Sequence, residues 1–290
     1  MEKINIAIKN KTKLTSALEK EFDVVYETKP TLFQKIFSKK IFTPDIYIFQ
    51  PPFTKDSLKS IQNSKKVIVN CNGMKNKIIE KYPEVDYKKI EVLYPYVTNK
   101  LEYDDDIKKR YREKYNLKDG EKVIFFTASD LHPNGLQNLL KIAGSLEEKN
   151  FKVLIESSKK QIDHTKLLLN RLKVKFQVIL LEDHPNKDEL FIFSDIFIVP
   201  TKKLSLNSNI LKAMFFKNAV FIPQNNYTSE IIDPFSIMQG VDDPSISFKI
   251  DALLCNENEL VQIQNINQEH SLNFDFKSRY SIMRSIISKL

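Results

Sequence analysis

Residues Lys122–Leu146 read KVIFF, TASDLHPNG, LQNLLKIAGSL: an apolar run, a polar turn with a proline and a glycine, then an amphipathic stretch. A continuous run such as VIFF marks a strand covered on both faces. The stretch after the turn predicts a helix over Leu136–Lys149. The same order repeats in both directions along the chain. Towards the C-terminus the strands are Val123–Thr127, Val153–Glu156, Val178–Leu181, Ile196–Pro200, Val220–Pro223 and Ser236–Gln239. Helices Lys159–Leu172, Lys187–Phe193 and Asn209–Phe216 fall between them. Towards the N-terminus the strands are Ile4–Ile8, Phe22–Tyr26, Ile46–Phe49, Val67–Asn70 and Glu91–Leu93. Strands alternating with helices predict an α/β chain with parallel, doubly wound sheets.

A chain of 290 residues can bury two cores of ordinary size. At 42% apolar and 28% charged residues it belongs with globular proteins and not with disordered ones. No apolar run approaches the ~20 residues that a membrane span needs. The N-terminus enters a strand directly and does not read as a signal peptide. Cys71 and Cys255 lie in no metal-type spacing and are expected as free thiols in a reducing cytoplasm. The net charge of +8 admits phosphorylated small molecules, anionic lipid or nucleic acid. No basic stretch is interleaved with aromatics as a single-strand nucleic-acid groove would be, so nucleic acid is not expected.

The boundary between two domains is expected between Tyr94 and Glu121. There, polar YPYVTNKLEYDDD precedes a charged amphipathic helix, IKKRYREKYNL. Asp104, Asp105 and Asp106 fit a divalent cation, or the N-terminus of that helix, where carboxylates offset the positive end of the dipole. The helix terminus is the favoured reading. His164, His184 and His270 share no metal-type spacing, and no metal site is expected.

Several segments carry a resemblance. These are Lys122–Leu146, DELFIFSDIFIVPT (Asp188–Thr201), NSNILKAMFFKNAVFIPQNNYTSEII (Asn207–Ile232), the final FKSRYSIMRSIISKL, and KKVIVNCNGMKNKIIEKYP with KIEVLYPYV in the first half. In order and spacing they resemble the retaining glycosyltransferases of GT-B fold, commonly numbered family 4. The resemblance implies two Rossmann-like domains facing across a cleft, the N-terminal one reduced. It implies an acceptor-side domain over 1–105 and a nucleotide-sugar-binding domain over 106–275. A helix over 276–290 would cross back to the first domain.

The departures from the family pattern are specific. Lys212, before Ala213-Met214, stands where the family's second glutamate contacts the ribose, and Leu204 stands at the first. Ala128-Ser129 replaces a Gly-Arg pair that binds the donor diphosphate, and Asn134 replaces a lysine. Glu156-Ser157-Ser158 occupies a glycine-rich turn, and Gln50 ends the strand that often bears a histidine. The turn after the first strand holds no glycine, so backbone there cannot approach a diphosphate closely.

Candidate sites follow from the fold, since ligands of open α/β sheets bind at the carboxyl ends of strands. Lys202, Lys203, Ser205 and Asn209 surround a helix start that favours anions, with Lys212 behind them. A capped loop with solvated lysines accounts for the same residues. Ser129, His132 and Asn134 form the first loop, where His132 alone titrates near neutrality. A turn histidine before proline is the plainer account. Thr228 and Ser229 are placed to meet a donor or to cap the next helix. Phe33, Phe37, Lys39 and Lys40 fit a basic amphipathic helix on an anionic membrane, or a crossover helix packed on the sheet.

The expected function is transfer of sugar from a nucleotide-sugar, or a related sugar phosphate, bound in the interdomain cleft. By resemblance no cofactor is required, and no residue is assigned as catalytic. The acceptor is expected to belong to the cell envelope or to a protein glycan. The alternative is an inactive pseudo-glycosyltransferase that binds protein partners in a larger assembly. A third reading is a basic adaptor for nucleic acid or membrane. The chain is expected in the cytoplasm or at the inner face of the membrane.

Overall fold

The computed structural model describes residues 3–8, 11–26, 43–202 and 208–290. The described residues form two compact units. One comprises Met1–Pro95 with Asp275–Leu290, the other Tyr96–Phe274. Every strand pairing in both is parallel.

In the first unit, β1 (Lys3–Ile8), β2 (Asp23–Tyr26), β3 (Ile46–Ile48), β4 (Lys66–Val69) and β5 (Ile90–Val92) lie in the order β2-β1-β3-β4-β5. Helix α1 (Lys13–Leu18) starts at Thr12 in a reciprocal box with Thr15. Helix α2 (Lys55–Asn63) starts the same way at Thr54 with Ser57. Cys71 caps α3 (Asn72–Lys81), its Sγ accepting the Met74 amide. The thiol is therefore buried and structural. The final helix belongs to this unit. Tyr280 donates to the Ala17 carbonyl (3.3 Å) and to Glu21 (2.9 Å), and Arg284 pairs with Glu21 at 2.9 Å.

The second unit opens with α4 (Asp105–Lys114). Asp104 accepts the Asp106 amide at 2.9 Å and caps it, so the acidic triplet is a helix start. The sheet that follows contains β6 (Lys122–Thr127), β7 (Phe151–Ser157), β8 (Gln177–Glu182), β9 (Ile196–Ile198), β10 (Ala219–Pro223) and β11 (Ile237–Met238). Its order is β11-β10-β9-β6-β7-β8. Counted from its own first strand this is 3-2-1-4-5-6, the dinucleotide-fold order, whose switch point lies between β6 and β9.

Both sheet faces are covered. Ile124, Phe126, Val153, Ile155 and Phe221 pack under α5 (Leu136–Ser145) and α9 (Ser245–Cys255). Val123, Phe125, Leu154, Phe197 and Val220 pack under α7 (Lys187–Phe193) and α8 (Ser208–Phe215). Alternate residues of one strand thus enter different cores, which is why neither face reads as polar. Helices α6 (Lys159–Leu172), α10 (Glu257–Leu272) and α11 (Phe276–Ile287) complete the list among the described residues, with α11 belonging to the first unit. No helix of the described residues is long and apolar enough to cross a membrane.

Two expectations are corrected. Helix α5 ends at Ser145, not Lys149, because Leu146 is extended and Asp251 accepts the amides of Glu147 and Glu148. Asn226, not Thr228 or Ser229, caps the turn after β10, its Oδ1 accepting the Thr228 amide at 2.9 Å.

Candidate functional site

In the second unit, the carboxyl ends of β6, β7 and β8 border an open cavity of about 320 Å³ lined mainly by polar residues. Ser129 follows β6, Ser157 ends β7 with Ser158 directly after it, and Asp183, His184 and Lys187 follow β8. On its wall Glu156 is almost wholly buried. Its carboxylate accepts the Thr127 hydroxyl at 2.7 Å and pairs with the half-exposed Lys187 ammonium at 2.8 Å. The Ser157 hydroxyl donates to the Ala128 carbonyl at 2.6 Å and ties the first two loops together.

The third loop is held from below. Asp183 is left-handed (φ 45°), its amide bonded to the Ser157 carbonyl and its carboxylate to the Lys159 amide. An aspartate tolerates that conformation better than a branched residue would. His184 places Nδ1 2.9 Å from the Asn186 carbonyl and Nε2 2.8 Å from the Tyr111 hydroxyl. Tyr111, buried on α4, donates to Glu189 at 2.5 Å. Burial first, and then the Glu189 carboxylate, push the Tyr111 hydroxyl above the ordinary tyrosine range. The imidazole on the cavity wall is therefore fixed in orientation from behind.

At the switch point, Gly135 begins α5 with φ 108° and no side-chain cap. A Cβ there would lie 2.1 Å from the Pro200 carbonyl oxygen. Only glycine lets the helix start approach the end of β9 so closely. Asn138 donates to the same carbonyl at 2.9 Å.

The residues singled out in the sequence fall in different places. Ser129 lines the cavity. Asn134 closes its own turn onto the Asp130 carbonyl at 2.5 Å, and exposed His132 lies 3.4 Å from Gln137, outside the cavity lining. Lys202 is exposed after β9, 3.8 Å from Asp242. Asn209 is half-buried on α8, Thr228 is buried, and Ser229 donates to the Gln224 carbonyl. Lys203, Ser205, Phe33, Phe37, Lys39 and Lys40 lie outside the described residues, as does Leu204.

Lys212 is committed elsewhere, at 2.6 Å from Asp188. The second Asp188 oxygen accepts the amides of Lys100 and Leu101. The ion pair ties α8 and α7 to the segment entering the unit. Asp183, His184 and Lys187 were not foreseen as site residues. The available signal was their position, directly after a strand at the ligand-binding edge.

No protein-family model matches the sequence, and no curated protein does. Solved structures do match in fold. A glycosyltransferase from Rickettsia africae ESF-5 aligns with TM-score 0.73 and 15% identity, over 99% of this chain and 98% of that one. HepE of Anabaena, solved with UDP, aligns with TM-score 0.74 and 12% identity over 100% of both chains. WaaG, a glycosyltransferase involved in lipopolysaccharide biosynthesis, aligns with TM-score 0.71 and 11% identity, over 98% of this chain and 99% of that one. The fold is that of the GT-B type: two α/β units with parallel sheets.

Proposed function

We propose that the second unit binds a nucleotide-sugar and that the chain is a glycosyltransferase resembling the retaining family 4 enzymes. The observation that carries this reading is the polar cavity at the carboxyl ends of β6, β7 and β8, beside the sheet's switch point. It lies where open α/β sheets take nucleotides. In support, HepE of similar fold was solved with UDP-glucose.

The nucleoside would sit against Ser129, Ser157, His184 and Lys187. Its diphosphate would point to the uncapped start of α5 and to the loop bearing Lys202, Lys203 and Ser205. Asn209, Thr228 and Ser229 would lie further along the same edge of the sheet. The first unit would bind the acceptor. In transfer, the bond from the sugar's anomeric carbon to the diphosphate oxygen breaks. A bond to the acceptor oxygen forms, and the acceptor proton leaves with the nucleotide product. Lysines and helix starts stabilise the charge that develops on the departing diphosphate.

Calorimetric titration of the full chain with UDP-, ADP- and GDP-sugars tests this. Saturable binding of one of them, weakened at least about tenfold by Lys187→Ala, is expected, since charge-assisted contacts are worth ~1.5–3 kcal/mol. No heat and no thermal shift with any of them would overturn the reading. Binding without release of nucleoside diphosphate in the presence of acceptor glycans would favour the inactive alternative.

A further inference from the structure

We propose that the groove between α5 and α6 of the second unit is a docking site for an anionic lipid surface. The groove holds about 470 Å³ and shares no residue with the polar cavity above. Its floor is apolar, formed by Leu140, Ala143, Leu168, Val174 and Phe176. Its rim carries Lys141, Lys149, Arg171, Lys173 and Lys175, and no carboxylate lines it.

The charge on this rim is not neutralised. Lys141, Arg171, Lys173 and Lys175 are exposed and make no side-chain hydrogen bond, ion pair or ring contact among the described residues. Several other cations of the unit are paired: Lys108 with Asp195, Lys122 with Glu257, Lys187 with Glu156, Lys212 with Asp188. Leu172, 48% exposed, stands on the rim itself, and Leu167, 69% exposed, lies one turn from Arg171 on α6. Leucines in water among unpaired cations match a surface that is apolar in depth and anionic outside.

Lipid fits these features better than other anions. The floor offers a sugar or nucleotide few polar partners, and the rim has no exposed aromatic ring for a base to stack on. An acidic helix seated in the groove would leave Leu167 uncovered. A fluid acyl layer fills the groove and covers the neighbouring leucines together, while headgroup phosphates meet flexible cations in no fixed geometry.

The chain contains no tryptophan, so Leu172→Trp gives a unique reporter at the rim. The full chain carrying it is mixed with phosphatidylcholine vesicles, with and without phosphatidylserine. A blue shift of emission, quenched by brominated acyl chains and confined to the anionic vesicles, is expected. Adding Arg171→Glu, Lys173→Glu and Lys175→Glu should weaken half-saturation at least about tenfold, with circular dichroism unchanged because all three are exposed. Leu272→Trp, exposed but outside the groove lining, should stay silent. The proposal is overturned by no shift, by an equal shift on neutral vesicles, or by binding without acyl-chain quenching. A shift with an acidic amphipathic peptide but not with vesicles would overturn it as well.

Discussion

Gly135 and Pro200 meet backbone to backbone: the space for a Cβ on Gly135 is taken by the Pro200 carbonyl. Gly135→Ala must therefore move the start of α5 away from β9, besides forcing alanine into a left-handed conformation. A loss of about 3 kcal/mol is expected in urea unfolding. Gly120 is also left-handed (φ 74°), but a Cβ there meets only Asn150 Nδ2 at 3.6 Å. Gly120→Ala should cost about 1 kcal/mol. Equal losses would show that the contact with Pro200 contributes nothing.

The Lys212–Asp188 pair predicts what reversing the charge at position 212 would do. Lys212→Glu would set two carboxylates together in a buried place, where Asp188 already holds two amides. The variant should lose roughly 3–5 kcal/mol at neutral pH. It should regain part of this on acidification as one carboxylate takes a proton. Denaturant midpoints at pH 5 and pH 7 check the sign. A variant as stable as the parent would mean that the pair does not hold the segment entering the unit.

Tyr111 predicts an alkaline limit. Burial and the Glu189 carboxylate disfavour its phenolate in the folded chain, while His184, Arg110, Lys114 and Tyr115 surround it. The unfolded chain therefore releases this proton first as pH rises through about 10. Stability is complete below that pH and declines above it. Tyr111→Phe should show a shallower decline between pH 9.5 and 11 in guanidinium titrations, the two slopes being compared directly.

Glu156 and Lys187 should act with opposite signs on nucleotide binding. Removing the ammonium with Lys187→Ala weakens it. Removing the carboxylate charge with Glu156→Gln releases Lys187 and should strengthen uridine diphosphate binding several-fold. Calorimetry that finds both variants weaker would indicate that Glu156 itself contacts the ligand.

The parts of this molecule that were legible in sequence are those set by local chemistry. VIFF and IFIV run apolar because both sheet faces are covered, and the strands stand where those runs predict. Strand β7 is longer than its apolar run because Lys152 and Glu156 are buried with partners, Lys152 donating to the Tyr115 and Asn116 carbonyls. Of the residues lining the candidate cavity, the sequence singled out Ser129 and the turn Glu156-Ser157-Ser158. Asp183, His184 and Lys187 sit in a turn, EDHPNK, that resembles any other. Strand order alone, with β8 beside β7 beside β6, brings them to Ser129. The role of Lys212 depended on Asp188, 24 residues earlier and across a strand.

The second unit enters and leaves through neighbouring peptide groups: the Val97 amide donates to the Phe274 carbonyl at 2.8 Å. It is thus an insertion with pinned ends, spliced into a host that is finished only by Tyr280 and Arg284. The first unit is therefore closed by residues that follow the whole of the second unit in sequence.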